Sequence, residues 1–180
     1  MRIVDAHFEL LTEVSIDRVF GEVGVYVIWD SQARVRPTYI GEGVIIERLS
    51  SQVDRVAFPV RGYIAILDYH GPMQTKKDAE IVEAVLLEIG DETDRYPRLN
   101  SQRGSHKQIK KVLAYDNTLR VKVSGYDPFM HPRAPRPIEQ NRWVTIYSQP
   151  KAEAWDAPFC DDRHYSCWTH PWRWRRHKQG

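Results

Sequence analysis

The chain has 180 residues, of which 42% are hydrophobic and 28% are charged, and its formal net charge is +2. This length suits one domain, or a small domain with an extension, and is enough to bury a core. No apolar run approaches the ~18 residues of a membrane span, so we expect no transmembrane helix and no membrane partner. The amino terminus lacks the apolar stretch of a secretory signal. Two cysteines make no disulfide scaffold, which favours a reducing, cytoplasmic location.

Basic residues are concentrated in two segments, although the chain as a whole is nearly neutral. Residues 163–180 contain five Lys and Arg residues and no acid, and residues 103–122 contain six with Asp116 as the single acid. Local basic surfaces of this kind favour a polyanionic partner. Solvated helix faces and a polar tail would give the same pattern, so both interpretations stay open.

The apolar periodicity predicts alternating helices and strands. Residues 8–20 have roughly helical spacing, with Ser15 as a possible cap for a second short helix. Strands are predicted at 25–29 and 38–40, and the short polar loop between them favours an antiparallel hairpin. The remaining predicted elements are a helix at 44–53, a strand at 62–69, a helix at 77–89 stopped by Gly90-Asp91, a helix at 105–113, and strands at 119–123 and 143–147.

These elements predict an α/β (α+β) fold in which helices flank a small, three-stranded, mainly antiparallel sheet. We expect a domain over residues 1–125, with its core at 20–104. Residues 126–180 are predicted to form a Pro-rich and Trp/Arg-rich C-terminal extension.

Two tripeptides in the predicted hairpin carry the clearest motif: Gly24-Val25-Tyr26 and, after twelve residues, Tyr39-Ile40-Gly41. Arg48 follows on the next predicted helix. A helix bearing acidic residues comes next, and then Pro97-Arg98-Leu99-Asn100. In this order, the features resemble the GIY-YIG nuclease family over about residues 20–104.

The resemblance implies an endonuclease that depends on Mg²⁺ or Mn²⁺ and hydrolyses phosphodiester bonds in nucleic acid, with DNA preferred. It implies that Tyr26 orients or deprotonates the attacking water and that Tyr39 shapes the site. A tyrosine base needs its pKa lowered from about 10, which a cation and Arg48 could do. Arg48 would bind phosphate through its planar fork, and Asn100 would hold its loop or contact phosphate.

Three acids on the 77–89 helix compete for the metal-ligand role. Glu83 is favoured because Leu86 and Leu87 follow it, as an apolar pair follows the family's metal-binding Glu. Glu88, twelve residues before Asn100, is the alternate, and Glu80 is a third choice. One carboxylate can hold Mg²⁺ together with water and phosphate oxygens.

Gln52 stands where the family often has a histidine, which indicates a divergent member. A restriction-like or mobile-element nuclease is favoured over a partner-dependent repair enzyme, because no sequence-reading domain is recognised. Two alternatives remain: a catalytically inactive nucleic-acid-binding module on the same scaffold, and an RNA-directed nuclease. The oligomeric state is not indicated.

The tail contains two further motifs. Cys160, His164, Cys167 and His170 could hold zinc, but their interleaved spacing differs from the usual separated pairs and favours free thiols and surface histidines. Alternating Trp and Arg suits either packing on the domain or stacking on bases. The predicted nucleic-acid contacts are Arg103, Lys107, Lys110, Lys111, Trp172, Arg173, Trp174 and Arg175.

Overall fold

The computed structural model describes residues 2–100, 118–147 and 175–176. Within them, strands and helices alternate along the chain. The elements are β1 (Arg2–Leu10), α1 (Ile16–Val19), β2 (Val23–Trp29), β3 (Tyr39–Val44), α2 (Ile45–Ser51), a 3-10 turn (Val53–Arg55), β4 (Arg61–Ile66), α3 (Pro72–Glu92), β5 (Thr118–Gly125), β6 (Arg142–Tyr147) and the two-residue β7 (Arg175–Arg176).

All the described strands belong to one mixed sheet with the order β3-β2-β4-β1-β5-β6-β7. The strand β1 joins the two halves of the sheet. It pairs antiparallel with β4, with Glu9 opposite Ile64, and parallel with β5, with Arg2 opposite Leu119. The remaining neighbours are antiparallel.

The predicted α/β class is confirmed, but the prediction of a three-stranded sheet is wrong in size. The predicted strands β2, β3 and β4 form only one end of the sheet. The strands predicted at 119–123 and 143–147 are present as β5 and β6, and β1 links them to the first three. The larger sheet results from long-range pairing, which local periodicity does not reveal.

The first predicted helix is wrong over its amino-terminal part, because β1 runs from Arg2 to Leu10. Burial alternates along this strand, with Val4, Ala6, Phe8 and Leu10 buried, which is the period of two that a strand requires. The helical segment is limited to α1. Ser15 is its N-cap residue in an extended conformation, although its side chain makes no capping hydrogen bond.

The helices and the hairpin around the motif are confirmed. The strands β2 and β3 pair antiparallel, with Tyr26 opposite Gly41. The helix α3 is longer than predicted, because it begins at Pro72, whose fixed φ suits a first helical position, and continues past Gly90 to Glu92.

The sheet has apolar cores on both faces. One face packs against α3 and includes Val25, Val27 and Trp29. The opposite face packs against α2 and includes Tyr26 and Ile28. Because β2 is buried on both faces, its sequence is a continuous apolar run rather than an alternating one.

The segment assigned from sequence to the extension contributes β6, which pairs with β5 from Thr118–Tyr147 to Val123–Arg142. The helix predicted at 105–113 lies outside the described residues. Among the described helices, none is long and apolar enough to cross a membrane.

Candidate functional site

The two motif tyrosines lie side by side over a glycine at the edge of the sheet. Their ring centroids are 6.1 Å apart, and the rings are inclined at 38°. A Cβ atom at Gly41 would overlap the Tyr26 hydroxyl oxygen and lie 2.7 Å from Cε1 of Tyr39. Gly41 therefore lets the two rings cross the surface of β3, which a larger residue would prevent.

Replacing Gly41 by alanine should displace the Tyr26 ring, because that side chain is 1% exposed and has no free volume to enter. We expect the free energy of unfolding to fall by about 2–3 kcal/mol, as for other overpacked cores. Urea denaturation would measure the change. A variant as stable as the parent would show that the two rings can move apart at no cost in stability, and would contradict this packing.

Arg48 supplies a positive charge next to the tyrosines. Its side chain lies over Gly43, where an added Cβ would be 3.0 Å from Nε, and Gly43 has a φ of +122°, which disfavours any other residue. Arg48 makes no ion pair with another residue of the described part of the chain. It lowers the pKa of Tyr26 and of Tyr39, opposing burial, which raises the pKa of both.

A buried carboxylate, Glu83, lies near the tyrosines and near two other acids. Glu83, on α3, is 8% exposed, and the charges of Glu42 and Glu80 act on it. Burial in the first place, and then these two acids, raise the pKa of Glu83 to about 8, against the lowering effect of Arg48. Glu83 is therefore largely protonated at neutral pH unless a cation binds nearby.

Glu42 is a site residue that sequence reasoning missed. It lies in β3 between Gly41 and Gly43, and burial followed by the charge of Glu80 raises its pKa. Its Oε2 is buried and has no hydrogen-bond partner among the described residues. A glutamate between two glycines of a half-buried strand was the available sequence signal, because such a position seldom tolerates an unpaired charge.

The phenol of Tyr26 is neutral in this setting. Burial first, and then Tyr39, raise its pKa, and the carboxylates of Glu83 and Glu42 add to the effect. Arg48 alone lowers it. In this arrangement Tyr26 can orient a water molecule by hydrogen bonding, whereas acting as a base would require additional positive charge.

Asn100, the last residue of the described range 2–100, positions the edge strand β3. Its Nδ2 donates to the Ile40 carbonyl oxygen at 2.7 Å, and its Oδ1 accepts from the Ile40 N–H at 2.9 Å. Leu99 N–H also donates to the Thr38 carbonyl at 2.9 Å. Asn100 thus holds the strand β3 between Tyr39 and Gly41, and its predicted contact with phosphate stays a prediction.

Replacing Asn100 by alanine removes both hydrogen bonds and leaves the Ile40 N–H and carbonyl without these partners. We expect a loss of about 2 kcal/mol in the free energy of unfolding. Asn100→Asp should be no more stable than Asn100→Ala, because a carboxylate oxygen would face the Ile40 carbonyl oxygen. Guanidinium denaturation of both variants tests this, and a fully stable Asp variant would contradict the paired geometry.

Gln52 and Arg55 border the tyrosine pair. Gln52 is buried, and its Oε1 accepts from Arg55 Nη1 at 3.1 Å. The Arg55 guanidinium carbon lies 5.7 Å from the centre of the Tyr39 ring. Arg55 is thus a second cation beside the tyrosines that sequence reasoning did not identify.

The structure brings together Tyr26, Tyr39, Arg48 and Glu83, and Asn100 supports them through β3. Glu88 acts on the pKa of Tyr96 rather than on that of either motif tyrosine. Of the predicted nucleic-acid contacts, Arg175 is in β7; the others (Arg103, Lys107, Lys110, Lys111, Trp172, Arg173, Trp174) lie outside the described residues, as do Cys160, His164, Cys167 and His170.

Comparisons with known proteins find no match. No protein-family model matches the chain, no curated protein is significantly similar to it, and no solved structure is significantly similar to its fold. The site is therefore interpreted from its own geometry and chemistry.

Proposed function

We propose that the protein is a divalent-metal-dependent endonuclease of the GIY-YIG type that hydrolyses phosphodiester bonds in DNA. One observation carries the proposal. Two tyrosines, a guanidinium without an ion pair in the described region and a buried carboxylate, from four different elements, act on one another at the edge of the sheet. Phosphodiester cleavage needs this combination of water-orienting, cationic and metal-binding groups.

The carboxylates suit a hard cation. Glu83 is buried and accepts no hydrogen bond from the described residues, and Oε2 of Glu42 is buried without a partner there. A cation would relieve the repulsion between these two acids. Within the described residues, no group of three or more His, Cys, Asp or Glu is placed to hold a metal. Mg²⁺ commonly uses only one or two carboxylates with water and phosphate oxygens.

Glu83, with Glu42 beside it, would hold the metal, and Glu83 would lose its proton as the cation binds. When bound, the metal supplies Lewis-acid stabilisation of the phosphate and the leaving oxygen. Arg48 would bind the negatively charged phosphate, as its fork matches phosphate oxygens. Tyr26, whose neutral phenol donates a hydrogen bond, would orient the attacking water, while Tyr39 and Arg55 would shape its approach.

A catalytically inactive nucleic-acid-binding module is the second candidate. Two observations favour it: Gln52 replaces a group that could carry a proton, and burial raises the pKa of Tyr26 rather than lowering it. Such a module would retain Arg48 and the basic segments for phosphate contacts. It would bind DNA with an affinity that falls steeply with salt, and it would not cut.

A plasmid-nicking assay with Mg²⁺, and with EDTA in its place, tests the proposal. We expect the parent to nick only with Mg²⁺, and Arg48→Ala to be at least about a hundredfold slower, because a cation on the developing charge is lost. Arg18→Ala is the matched control, since Arg18 is exposed and bound to Glu9 at 2.7 Å. Binding without metal-dependent nicking would establish the inactive module. Preferential cutting of competing RNA would assign an RNA-directed nuclease.

A further inference from the structure

A cavity of about 470 Å³ lies where β2 ends and β4 begins. Trp29 belongs to the core on the α3 face, whereas Tyr26 belongs to the core on the α2 face, so this cavity is separate from the tyrosine site. The lining includes Trp29, Asp30, Arg34, Arg61, His131 and Arg133. Its volume is in the range of ordinary small-molecule sites.

The cavity has an excess of positive charge. Arg34, Arg61 and Arg133 come from three separate segments, and none of them makes an ion pair with another described residue. Asp30, the one acid in the lining, is already neutralised by Arg98 at 2.8 Å. Its carboxylate also accepts from the N–H groups of Gln32 and Ala57, which hold its pKa below the usual value although burial opposes them. Several guanidiniums around a concavity concentrate positive potential in it.

The walls of the cavity are held in place by hydrogen bonds to the 128–133 segment. Trp29 Nε1 donates to the Pro128 carbonyl at 3.1 Å, and the Tyr63 hydroxyl donates to the Met130 carbonyl at 2.8 Å. The His131 ring stands edge-on to the Trp29 ring, with centroids 5.1 Å apart. Little rearrangement would therefore accompany binding, which favours affinity.

The histidine does not add a positive charge at neutral pH. Burial, followed by the charge of Arg133, lowers the pKa of His131. Its Nδ1 accepts from the Arg133 N–H at 3.1 Å. The three arginines consequently carry the charge of the site, and the His131 ring offers a neutral aromatic wall.

We propose that this cavity binds a phosphate-bearing anion of nucleotide size, with the phosphate held by Arg34, Arg61 and Arg133. Guanidinium forks match phosphate oxygens, and a phosphate would offset the mutual repulsion of three like charges. The remaining volume beside His131 suits a planar base. The inference does not depend on the proposed nuclease function.

Isothermal titration of the full chain in EDTA, at constant ionic strength, tests the proposal. The probes are deoxyadenosine 5′-monophosphate, its phosphate-free nucleoside, inorganic phosphate and a short 5′-phosphorylated oligodeoxynucleotide. We expect saturable binding of the monophosphate and none of the nucleoside. Tighter binding of the oligonucleotide than of the monophosphate, kept in Arg48→Ala and lost in Arg61→Ala with Arg133→Ala, would identify a strand end as the source of the phosphate, and the reverse order would identify a free nucleotide. A site with three guanidiniums should be occupied well below about 10 mM phosphate probe. No saturable binding of any phosphate probe up to that concentration would overturn the proposal.

Matched variants locate the binding. The pair Arg61→Ala with Arg133→Ala should weaken binding of the monophosphate at least about tenfold. The control pair, Arg36→Ala with Arg136→Ala, removes the same charge from exposed positions outside the cavity lining, in the loops that contain Arg34 and Arg133, and should change it less than about twofold. Equal weakening by both pairs would overturn the proposal.

Two further variants serve as controls, one for misfolding of the alanine pair and one for binding at the tyrosine site. If Arg61→Ala with Arg133→Ala does not fold, the pair Arg61→Lys with Arg133→Lys keeps the charge but loses the guanidinium forks, and unchanged affinity of that pair for the monophosphate would overturn the proposal. Arg48→Ala should bind the monophosphate as the parent does, because Arg48 does not line this cavity. Loss of binding in Arg48→Ala would place the ligand at the tyrosine site and overturn the assignment.

Discussion

Glu83→Gln is expected to abolish metal-dependent cleavage and, at the same time, to stabilise the fold at alkaline pH. The folded protein holds the Glu83 proton to a pKa of about 8, against an ordinary value of 4.5. Between these values the unfolded chain has released the proton and the folded chain keeps it, so rising pH lowers the free energy of unfolding. Above about pH 8 the loss is complete. A neutral amide removes this penalty, and we expect a gain of about 2–4 kcal/mol at pH 9 and little change near pH 4.

The same substitution removes the carboxylate that is proposed to hold the metal. Because a bound cation contributes several kcal/mol of transition-state stabilisation, nicking should slow by at least about a thousandfold. Urea denaturation at pH 5 and pH 9, with the nicking assay at pH 8, measures both effects on one variant. A variant that is more stable but inactive has not lost activity by unfolding.

Glu88→Gln is the matched control, because Glu88 lies on the same helix and does not act on the pKa of Glu83. We expect it to keep both cleavage and the pH dependence of stability. Loss of cleavage in Glu88→Gln, with retention in Glu83→Gln, would transfer the ligand role to Glu88. A parent whose stability does not fall between pH 5 and pH 8 would contradict the buried, protonated state of Glu83.

Gly24→Ala should have the largest effect on stability. Gly24 lies in β2, which pairs with β3 on one side and β4 on the other. An added Cβ would overlap the carbonyl oxygen of Ala65 and lie 3.0 Å from Cδ1 of Ile45. Because the obstructing atom belongs to the backbone of Ala65, which is fully buried, it cannot move aside as a side-chain tip could. We expect a loss of at least about 3 kcal/mol, at the severe end for a single methyl group.

Gly21→Ala provides the comparison. Gly21 has a φ of +74°, but no atom lies within 4 Å of its added Cβ, so only backbone strain opposes the alanine. That strain is about 1–2 kcal/mol. Chemical denaturation of both variants should therefore rank Gly24→Ala well below Gly21→Ala in stability. The opposite ranking would show that β4 can shift away from β2, and would contradict the close packing of Gly24 against the Ala65 carbonyl.

Gly24 and Gly41 are required by neighbouring atoms, the Ala65 carbonyl in one case and the two tyrosine rings in the other. Both glycines are thus explained by packing, and the proposed chemistry is assigned to Tyr26, Tyr39, Arg48 and Glu83. A glycine-to-alanine variant that loses activity tests the scaffold, whereas Arg48→Ala and Glu83→Gln test the chemistry.

Local sequence patterns were sufficient to predict the hairpin and the helices α2 and α3, whereas the choice of Glu83 among three acids stays a prediction. A β-branched apolar run, a polar loop and a helical apolar row are short-range features, and each predicts the secondary structure of its own segment. The charge that Glu83 exerts on Tyr26 and Tyr39 agrees with its predicted place beside them. Its protonated state was not predictable, because it depends on burial and on Glu42, a residue of a different element.

Tertiary structure alone decided the pairing of β1 and the grouping of distant side chains. The sequence of β1 was predicted to be helical in part, and pairing with β4 and β5 makes it a strand. The convergence of Arg34, Arg61 and Arg133 follows from bringing three segments together around Trp29. Periodicity and propensity act over a few residues, whereas sheet order, burial and the sum of nearby charges depend on which distant segments become neighbours. The sequence therefore determined most of the helices and strands and the candidate residues. The packing determined which residues became neighbours and which of them carry a charge.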